Sequence, residues 1–493
     1  MTWVKSLRGG RMKVLDKNQI EDVHYASLDI LEHTGVKVFS EDALQILAEA
    51  GADINYDNQL AKIPPHLCEE AIRKTPPRFT LYGRNPKKKC KFENSRVHFS
   101  MAGLPPMVFD FDGQRRQATF KDVENFVRLG DALPYIHIPH GCVEGTVEQM
   151  TMPKDLAMAH RFLIRLKNTD KPGLAFDIFT GRAEDTIRLQ AAVMGGIKEL
   201  RRKPIAWHWP MSVPPLTLPR ELTENTIVYA KQGLPILIAI EIMGGAAGPA
   251  TLAGVLAQQG AEFLSIAVIA QMAASSKRRP PLLYGTVSSI VDMRTGAFAL
   301  GGPEAYLLNV ASAQMARFYG VPSRGTGGPT DAIIPDYQAG VETGLGVLMA
   351  ALAGHNFILN TTGALEPGVL AVGYEKVVLD HDTLGMVARI LDGIEVSDET
   401  LAVDVIDQVG PMGNFLFTEH TRRHFKKEHY LPEVFNRELF EGWRKKGQKS
   451  VRQVAREYAK QLLRDHEPEP LDKDIEKNVL EIIHDIEKRE RKE

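Results

Sequence analysis

The sequence predicts an α/β protein whose core is a (β/α)8 TIM-like barrel, with an α+β module ahead of it and a helical extension behind. Three observations carry that prediction. Between residues 121 and 395, short apolar runs alternate with helical stretches, the pattern of parallel strands joined by helical crossovers. Several of the runs open on proline and lead into glycine, hydroxyl or aromatic residues, as in WHWPMS (Trp207–Ser212), YGTVSS (Tyr284–Ser289) and RGTGGPTD (Arg324–Asp331), as expected at the functional face of barrel strands. The chain of 493 residues exceeds the roughly 250–300 that one compact core holds, which a barrel with added segments accommodates.

The runs are Tyr135–Val143, Pro172–Phe176, Pro204–Trp209, Pro235–Glu241, Pro281–Val287 and Asn356–Asn360. The helices are Asp155–Lys167, Ala183–Leu200, Thr251–Met272, Pro303–Tyr319 and Gln338–Leu352. Six or seven such units fit eight strands with one or two unread. An open doubly wound sheet is the other arrangement; its dinucleotide-binding form is disfavoured because no strand runs into G-x-G-x-x-G.

Residues 1–120 read as the N-terminal α+β module. Ile20, Val23, Ile30 and Leu31 share a helical face that Gly35 ends. Ser40 caps a second helix carrying Leu44 and Leu47 and stopped by Gly51, and a third lies between Pro64-Pro65 and Pro76-Pro77. Strand-like pieces follow at Arg78–Gly83 and Arg96–Ser100, then a hairpin turning at Asp112-Gly113. Met12 is a second plausible start, which would make residues 1–11 an upstream extension. Residues 396–493 form the helical extension, where Ile475, Val479, Ile482 and Ile486 make a seam expected to dock on the barrel.

Composition narrows the function. Hydrophobic residues at 44% and charged ones at 25% exclude global disorder, and a net charge of −2 advertises neither nucleic acid nor an anionic membrane surface. Cys68, Cys90 and Cys142 are too few and scattered for a disulfide framework or a zinc-thiolate site, which points to a reducing, cytoplasmic setting. The start lacks the apolar core of a signal peptide, and no uninterrupted apolar run is long enough to span a membrane.

Metal and nucleophile chemistry find little support. No H-E-x-x-H or H-x-H organises the histidines; His420 and His424 have i, i+4 spacing but lie in the basic stretch HTRRHFKK, where solvated helix residues are expected. Asp380-His381-Asp382 reads as an acidic helix start. There is no G-x-S-x-G, and Cys142 reads as a small buried hydrophobe. The aromatic residues say more. Trp207 and Trp209 alternate on one strand, so both rings face the same side, either the barrel interior or the helices. With Tyr284 they would wall a pocket for a cation; ordinary packing of large rings is the competing account.

Longer motifs then become informative. GGAAGPATLAGVLAQQGAEFLS (Gly244–Ser265), YGTVSSIVDMRTGAFALGGPEAYLL (Tyr284–Leu308) and GVPSRGTGGPTDAIIPDYQAGVETG (Gly320–Gly344) strongly resemble the trimethylamine methyltransferase (MttB-like) family. DGIEVSDETLAVDVIDQVGPMGNFLFTEHT (Asp392–Thr421) and VFDFDGQRRQATFKDV (Val108–Val123) extend the resemblance across nearly the whole chain. It implies a (β/α) barrel that moves a methyl group from a methylated amine to the cobalt of a separate corrinoid protein. That partner carries the cobamide, so no tightly bound cofactor is expected here. Archaeal trimethylamine enzymes of the family contain pyrrolysine; this chain has only standard residues and resembles the branch without it, some of whose members demethylate betaines or carnitine. Many relatives carry T-D-S-K-x-P-D-x-Q-A-G, whereas here Thr330-Asp331 leads through Ala332-Ile333-Ile334 to Pro335-Asp336, which points to a changed substrate pocket.

The expectation is a corrinoid-dependent methyltransferase acting on a quaternary, betaine-like amine. The alternatives are trimethylamine itself as substrate, or a non-catalytic quaternary-amine binder. The partners expected are the corrinoid protein and the small methylated amine, with no nucleic acid or membrane, and a homo-oligomer is expected. Trp207, Trp209, Tyr284 and Glu241 are the substrate-binding candidates, with no metal ligands. His355, Asp331 and Gln338 are the catalytic candidates. His355 precedes the Asn356–Asn360 run; it is either a satisfied structural residue at the barrel's bottom, or an inward group reaching a substrate carboxylate or Asp331 and Gln338.

Overall fold

A computed structural model describes residues 7–173 and 181–492. Its centre is a parallel barrel. Ile236–Ile240 pairs with Leu282–Thr286, which pairs with Ser323–Thr326; that strand pairs with Phe357–Leu359, which pairs in turn with Arg96–Phe99. Parallel bridges Ser100–Ile138 on one side and His208–Ile236 and Met211–Ala239 on the other add two staves. At the edge of the described residues, the Gly173 amide donates to the Ile205 carbonyl at 3.2 Å. The expected strand Pro172–Phe176 lies outside the described residues beyond Gly173.

Two strands differ from expectation in different ways. Ser323–Thr326 (SRGT) lacks the apolar run that marks a buried strand. Arg96–Phe99 was visible as a strand, yet it belongs to the barrel and not to the N-terminal module, so the barrel begins well before residue 121. The helical expectations agree to within a few residues: Lys154–Asn168, Leu252–Ala273, Pro303–Phe318 and Tyr337–Ala353. The expected Ala183–Leu200 helix is interrupted at Gly195-Gly196, both at positive φ, where a side chain would be strained.

The N-terminal helices begin and end where their caps dictate. The Ser40 hydroxyl accepts the Ala43 amide, and Gly51 closes that helix in the left-handed region. The hairpin Met107–Phe109/Arg115–Gln117 turns through Gly113 at φ +81°. Leu7–Arg8 pairs with Arg96–Val97, so this part of the proposed extension is built into the sheet edge. Leu252–Ala273 is long and apolar enough to cross a membrane, but 83% of its apolar window is buried inside the protein.

The barrel has a closed end and a mouth. The hairpin Phe79–Tyr82/Lys89–Phe92 closes the N-terminal end of the staves, with the Tyr82 amide on the Pro204 carbonyl and Gly83 bridging Pro172. Two small sheets stand at the C-terminal mouth. One joins Met243–Gly244, Ser289–Val291 and Phe298–Ala299; the other joins Ala364–Leu365, Ala371–Gly373, Met107–Phe109 and Arg115–Gln117. The final helix, Lys473–Glu490, buries Val479, Ile483 and Ile486 and docks beside the Lys154–Asn168 and Ala183–Met194 helices, where Arg489 pairs with Asp155 and Asp185. Asp380-His381-Asp382 lies inside the Tyr374–Asp392 helix and not at its start: Asp380 pairs with Lys376, and Asp382 accepts the amides of Glu433, Val434 and Phe435.

Candidate functional site

Strand alternation sorts the candidate residues. Trp207, Trp209, Leu237, Ala239, Leu283, Phe357 and Leu359 share one buried cluster, with Phe92 of the closing hairpin. Ile236, Ile238, Ile240, Leu282 and Tyr284 belong to the cluster packed against the helices. The first set therefore fills the barrel, and both tryptophans point inward. Trp207 sits low, edge-on to Phe92 at 5.5 Å and Phe357 at 5.0 Å between ring centroids. Trp209 stands two residues nearer the mouth.

A residue that no sequence signal aims inward meets Trp209. Arg324, on the Ser323–Thr326 strand, points inward and is fully buried, its guanidinium 4.8 Å from the Trp209 ring centroid. Its Nη2 donates to Glu241 Oε1 at 3.2 Å. Its Nε and Nη1 meet no acceptor among the described residues. Burial pulls the Arg324 pKa down from its usual value, and the Glu241 carboxylate works against that shift. Glu241, one residue past its strand, keeps 28% of its side chain exposed. An aromatic face, a carboxylate and a buried guanidinium with free donors thus meet at the mouth half of the barrel. The signal was present in RGTGGPTD, but a strand with no apolar run gave no reason to aim Arg324 inward.

Tyr284 does not join this group. It occupies the outward parity of its strand, fully buried against Phe263 and Tyr319, with Gln259 Nε2 donating to its hydroxyl at 2.9 Å. Gln259 also binds Ser312, Thr286 and Ser288, tying the Leu252–Ala273 helix to its strand. Burial pushes the Tyr284 pKa up, so it is an uncharged packing residue.

His355 is also structural. It lies at the closed end, buried, with Nε2 2.8 Å from the Asn309 carbonyl and Nδ1 3.0 Å from the Ser323 hydroxyl. Nε2 therefore donates, Nδ1 accepts, and burial pushes the pKa down to about 3, so the ring is neutral. It touches neither Asp331 nor Gln338, which follow the preceding strand at the opposite end of the barrel.

Asp331 and Gln338 do come together, on a third residue. Glu342 accepts from the Thr330 hydroxyl at 2.5 Å, the Asp331 amide at 2.8 Å and Gln338 Nε2 at 2.9 Å. Asp331 itself accepts the Leu300 amide at 3.2 Å, and burial raises its pKa. The Gln338–Glu342 spacing of one helical turn was readable; its closure onto Thr330-Asp331 was not. The result is a stiff loop that holds Ile333 and Ile334 exposed at the rim. The loop after the Trp209 stave is fixed similarly by Glu262, which accepts from Ser212, from the Leu216 amide at 2.9 Å and from Gln258 at 2.8 Å.

Beside the centre, a cavity of about 420 Å³ opens over the first two staves, lined by Leu104, Pro106, Glu144, Gln149 and Met158. Cys142 is buried with its thiol pKa pushed well up, the opposite of an activated nucleophile. The His420 and His424 rings lie 4.3 Å apart, tilted by 30°, on the outer helix Glu419–Glu428, with His424 beside Glu399. Among the described residues no three His, Cys, Asp or Glu side chains converge as metal ligands would.

This geometry defines a barrel whose mouth half holds a buried guanidinium between an aromatic face and a carboxylate. The solved monomethylamine methyltransferase of Methanosarcina barkeri has the same fold, with TM-score 0.52 and 14% identity over 92% of this chain and 89% of that one. The family model for trimethylamine methyltransferase (MTTB) matches residues 2–492, and the chain belongs to that family of methyltransferases. It is 32% identical to the glycine betaine methyltransferase of Desulfitobacterium hafniense strain Y51, over 96% of this chain and 97% of the relative. It is 31% identical to the trimethylamine methyltransferase MttB of Methanosarcina barkeri, over 98% of this chain and 97% of the relative.

Proposed function

We propose that this methyltransferase takes a methyl group from a quaternary amine that carries a carboxylate, a betaine-like zwitterion, and delivers it to the cob(I)amide of a separate corrinoid protein. One observation carries the substrate class: the buried Arg324 with two free donor nitrogens beside Trp209. A fixed buried cation repels a bare alkylammonium and attracts a carboxylate. The substrate carboxylate would take the free Nε and Nη1, the trimethylammonium would lie against the Trp209 face and the Glu241 carboxylate, and the methyl groups would point to the mouth. The similarity to a glycine betaine methyltransferase supports this reading.

The chemistry asks little else of the protein. The C–N bond breaks with its electron pair going to nitrogen, a carbon–cobalt bond forms, and cobalt rises from Co(I) to Co(III) on the partner. The leaving group is a neutral tertiary amine, so no proton donor is required. The chain's part is to hold the methyl group in line and keep water out. The buried, unpaired cysteines accord with a reducing cytoplasmic setting for such an acceptor.

The test is methyl transfer from purified protein to cob(I)alamin, followed by the absorbance of methylcobalamin, across glycine betaine, carnitine, choline and trimethylamine. Carboxylated quaternary amines should lead. Preference for trimethylamine, or no transfer from any of the four, would overturn the proposal.

A further inference from the structure

Strand parity aims one more residue at the barrel interior. A Cβ on Gly325 would come within 2.4 Å of Asn309 and His355, so that position faces the helices, and Arg324 and Thr326 on either side of it face the barrel. Asn309 takes up both backbone polar groups of Thr326: its Oδ1 accepts the amide at 3.2 Å, and its Nδ2 donates to the carbonyl. The Thr326 backbone is therefore fixed from the helix side. Only its hydroxyl is left to act inside the barrel, where the residue is buried.

The polarity of that hydroxyl is set from a neighbouring strand. Asn360 follows Phe357–Leu359 at φ +57°, a left-handed position that Asn adopts more readily than most residues. The Gly103 amide reaches its side-chain Oδ1 at 2.5 Å. A backbone N–H can only donate, so this contact fixes the orientation of the Asn360 amide and turns Nδ2 to Thr326 Oγ1 at 3.0 Å. Nδ2 in its turn can only donate. Thr326 Oγ1 is thus the acceptor towards Asn360 and keeps its own proton, for which the described residues offer no acceptor.

Register brings this donor to the height of the Arg324 guanidinium. Ala239, Gly285 and Arg324 are in register on adjacent strands, and Glu241 lies two residues nearer the mouth than Ala239. To reach Glu241, the Arg324 side chain passes Gly285, which has no side chain, and climbs two residues towards the mouth. Thr326 is two residues, roughly 7 Å, further along the strand than Arg324. Guanidinium and hydroxyl therefore stand at one height along the strands.

We propose that Thr326 binds the substrate carboxylate, its hydroxyl donating to a carboxylate oxygen alongside the free Nε and Nη1 of Arg324, and that Asn360 is the positioning residue that keeps this proton directed at substrate. The inference rests on the carboxylated quaternary amine proposed above. A hydroxyl held as a donor favours an anion and gives a trimethylammonium nothing, so it adds to the discrimination that Arg324 begins.

Thr326→Val keeps the shape of the side chain and removes the hydroxyl. In methyl transfer to cob(I)alamin it should lower kcat/KM for glycine betaine by roughly 10- to 150-fold, the range of a charge-assisted hydrogen bond, through KM and with choline little altered. Thr326→Ser should restore betaine use. In Asn360→Asp the new carboxylate accepts the Thr326 proton, so betaine use should fall. It should fall less when the same change is made on Thr326→Val, where no hydroxyl remains to turn. Equal losses on betaine and choline, a Ser variant as poor as the Val variant, or additive losses in the double variant would overturn the proposal. Arg324→Met separates it from the reading beneath it. A betaine preference lost in Arg324→Met but kept in Thr326→Val overturns the role of Thr326 alone, whereas an unaltered protein that does not prefer betaine to choline overturns both.

Discussion

Replacing Arg324 by methionine removes the guanidinium while keeping much of its length, and its effect follows from the surroundings. A charge-assisted hydrogen bond contributes about 1.5–3 kcal/mol, so losing the carboxylate contacts should lower kcat/KM for glycine betaine by roughly 10- to 150-fold. Choline shares the trimethylammonium but has no carboxylate. A guanidinium about 6 Å from that cation, at an effective dielectric near 20, opposes it by about 3 kcal/mol at most, so choline should be used as well or better. The betaine-to-choline ratio should therefore fall by at least about one order of magnitude. Folding should suffer little. Arg324 is buried with two donors unsatisfied, so removing it relieves a desolvation cost, and Glu241 retains 28% exposure to water. The assay is methyl transfer to cob(I)alamin with both substrates, beside a thermal melt. An unchanged ratio, or equal losses on both substrates with an unchanged melt, would refute the role given to Arg324.

The neighbouring residues separate binding from packing. Trp209→Leu should raise KM for every quaternary amine by roughly 2- to 30-fold, the 0.5–2 kcal/mol of a cation–aromatic contact, whereas Trp207→Leu, wedged between Phe92 and Phe357, should cost about 2–4 kcal/mol of stability and leave KM unchanged; kinetics and urea titrations distinguish them. Tyr284→Phe, which deprives Gln259 of one acceptor, should cost about 1 kcal/mol with no kinetic change, and His355→Ala should destabilise without favouring any substrate; a substrate-selective loss in either would return that residue to the site. Burial holds His98 and His208 down to about 4 and His140, His355 and His381 down to about 3. An unfolded histidine takes up a proton near 6.5 and these do not, so their contribution is fully present above about pH 6.5 and is lost as pH falls towards 4 for His98 and His208 and towards 3 for the other three. Each gives up as much as about 1.4 kcal/mol per pH unit in that window. Urea midpoints should drop steeply from pH 7 to 5, and a flat profile would contradict neutral buried rings.

Local chemistry was legible because it depends on near neighbours. Ser40, Gly51 and the Asp112-Gly113 turn act through backbone geometry within a few residues, and the alternation of apolar runs with helices reports a barrel wherever the strands are apolar. The long motifs placed the chain in its family for the same reason, since they are contiguous. Parity along one strand told that Trp207 and Trp209 face the same way. It could not tell which way, because a strand buried on both faces carries no polar side to orient it, and the same ambiguity let Tyr284 stand as a pocket residue until the helix carrying Gln259 claimed it. Ser323–Thr326 carries no apolar residue, so the sequence places RGTGGPTD at a strand end but gives no sign that Arg324 points inward. Only closure of the barrel brings Arg324 to Glu241, 83 positions away in the chain, and to Trp209. The helix Tyr337–Ala353, between Asp331 and His355, carries the chain from the mouth back to the closed end, and only the barrel's topology gives it that direction and sets the two residues at opposite ends.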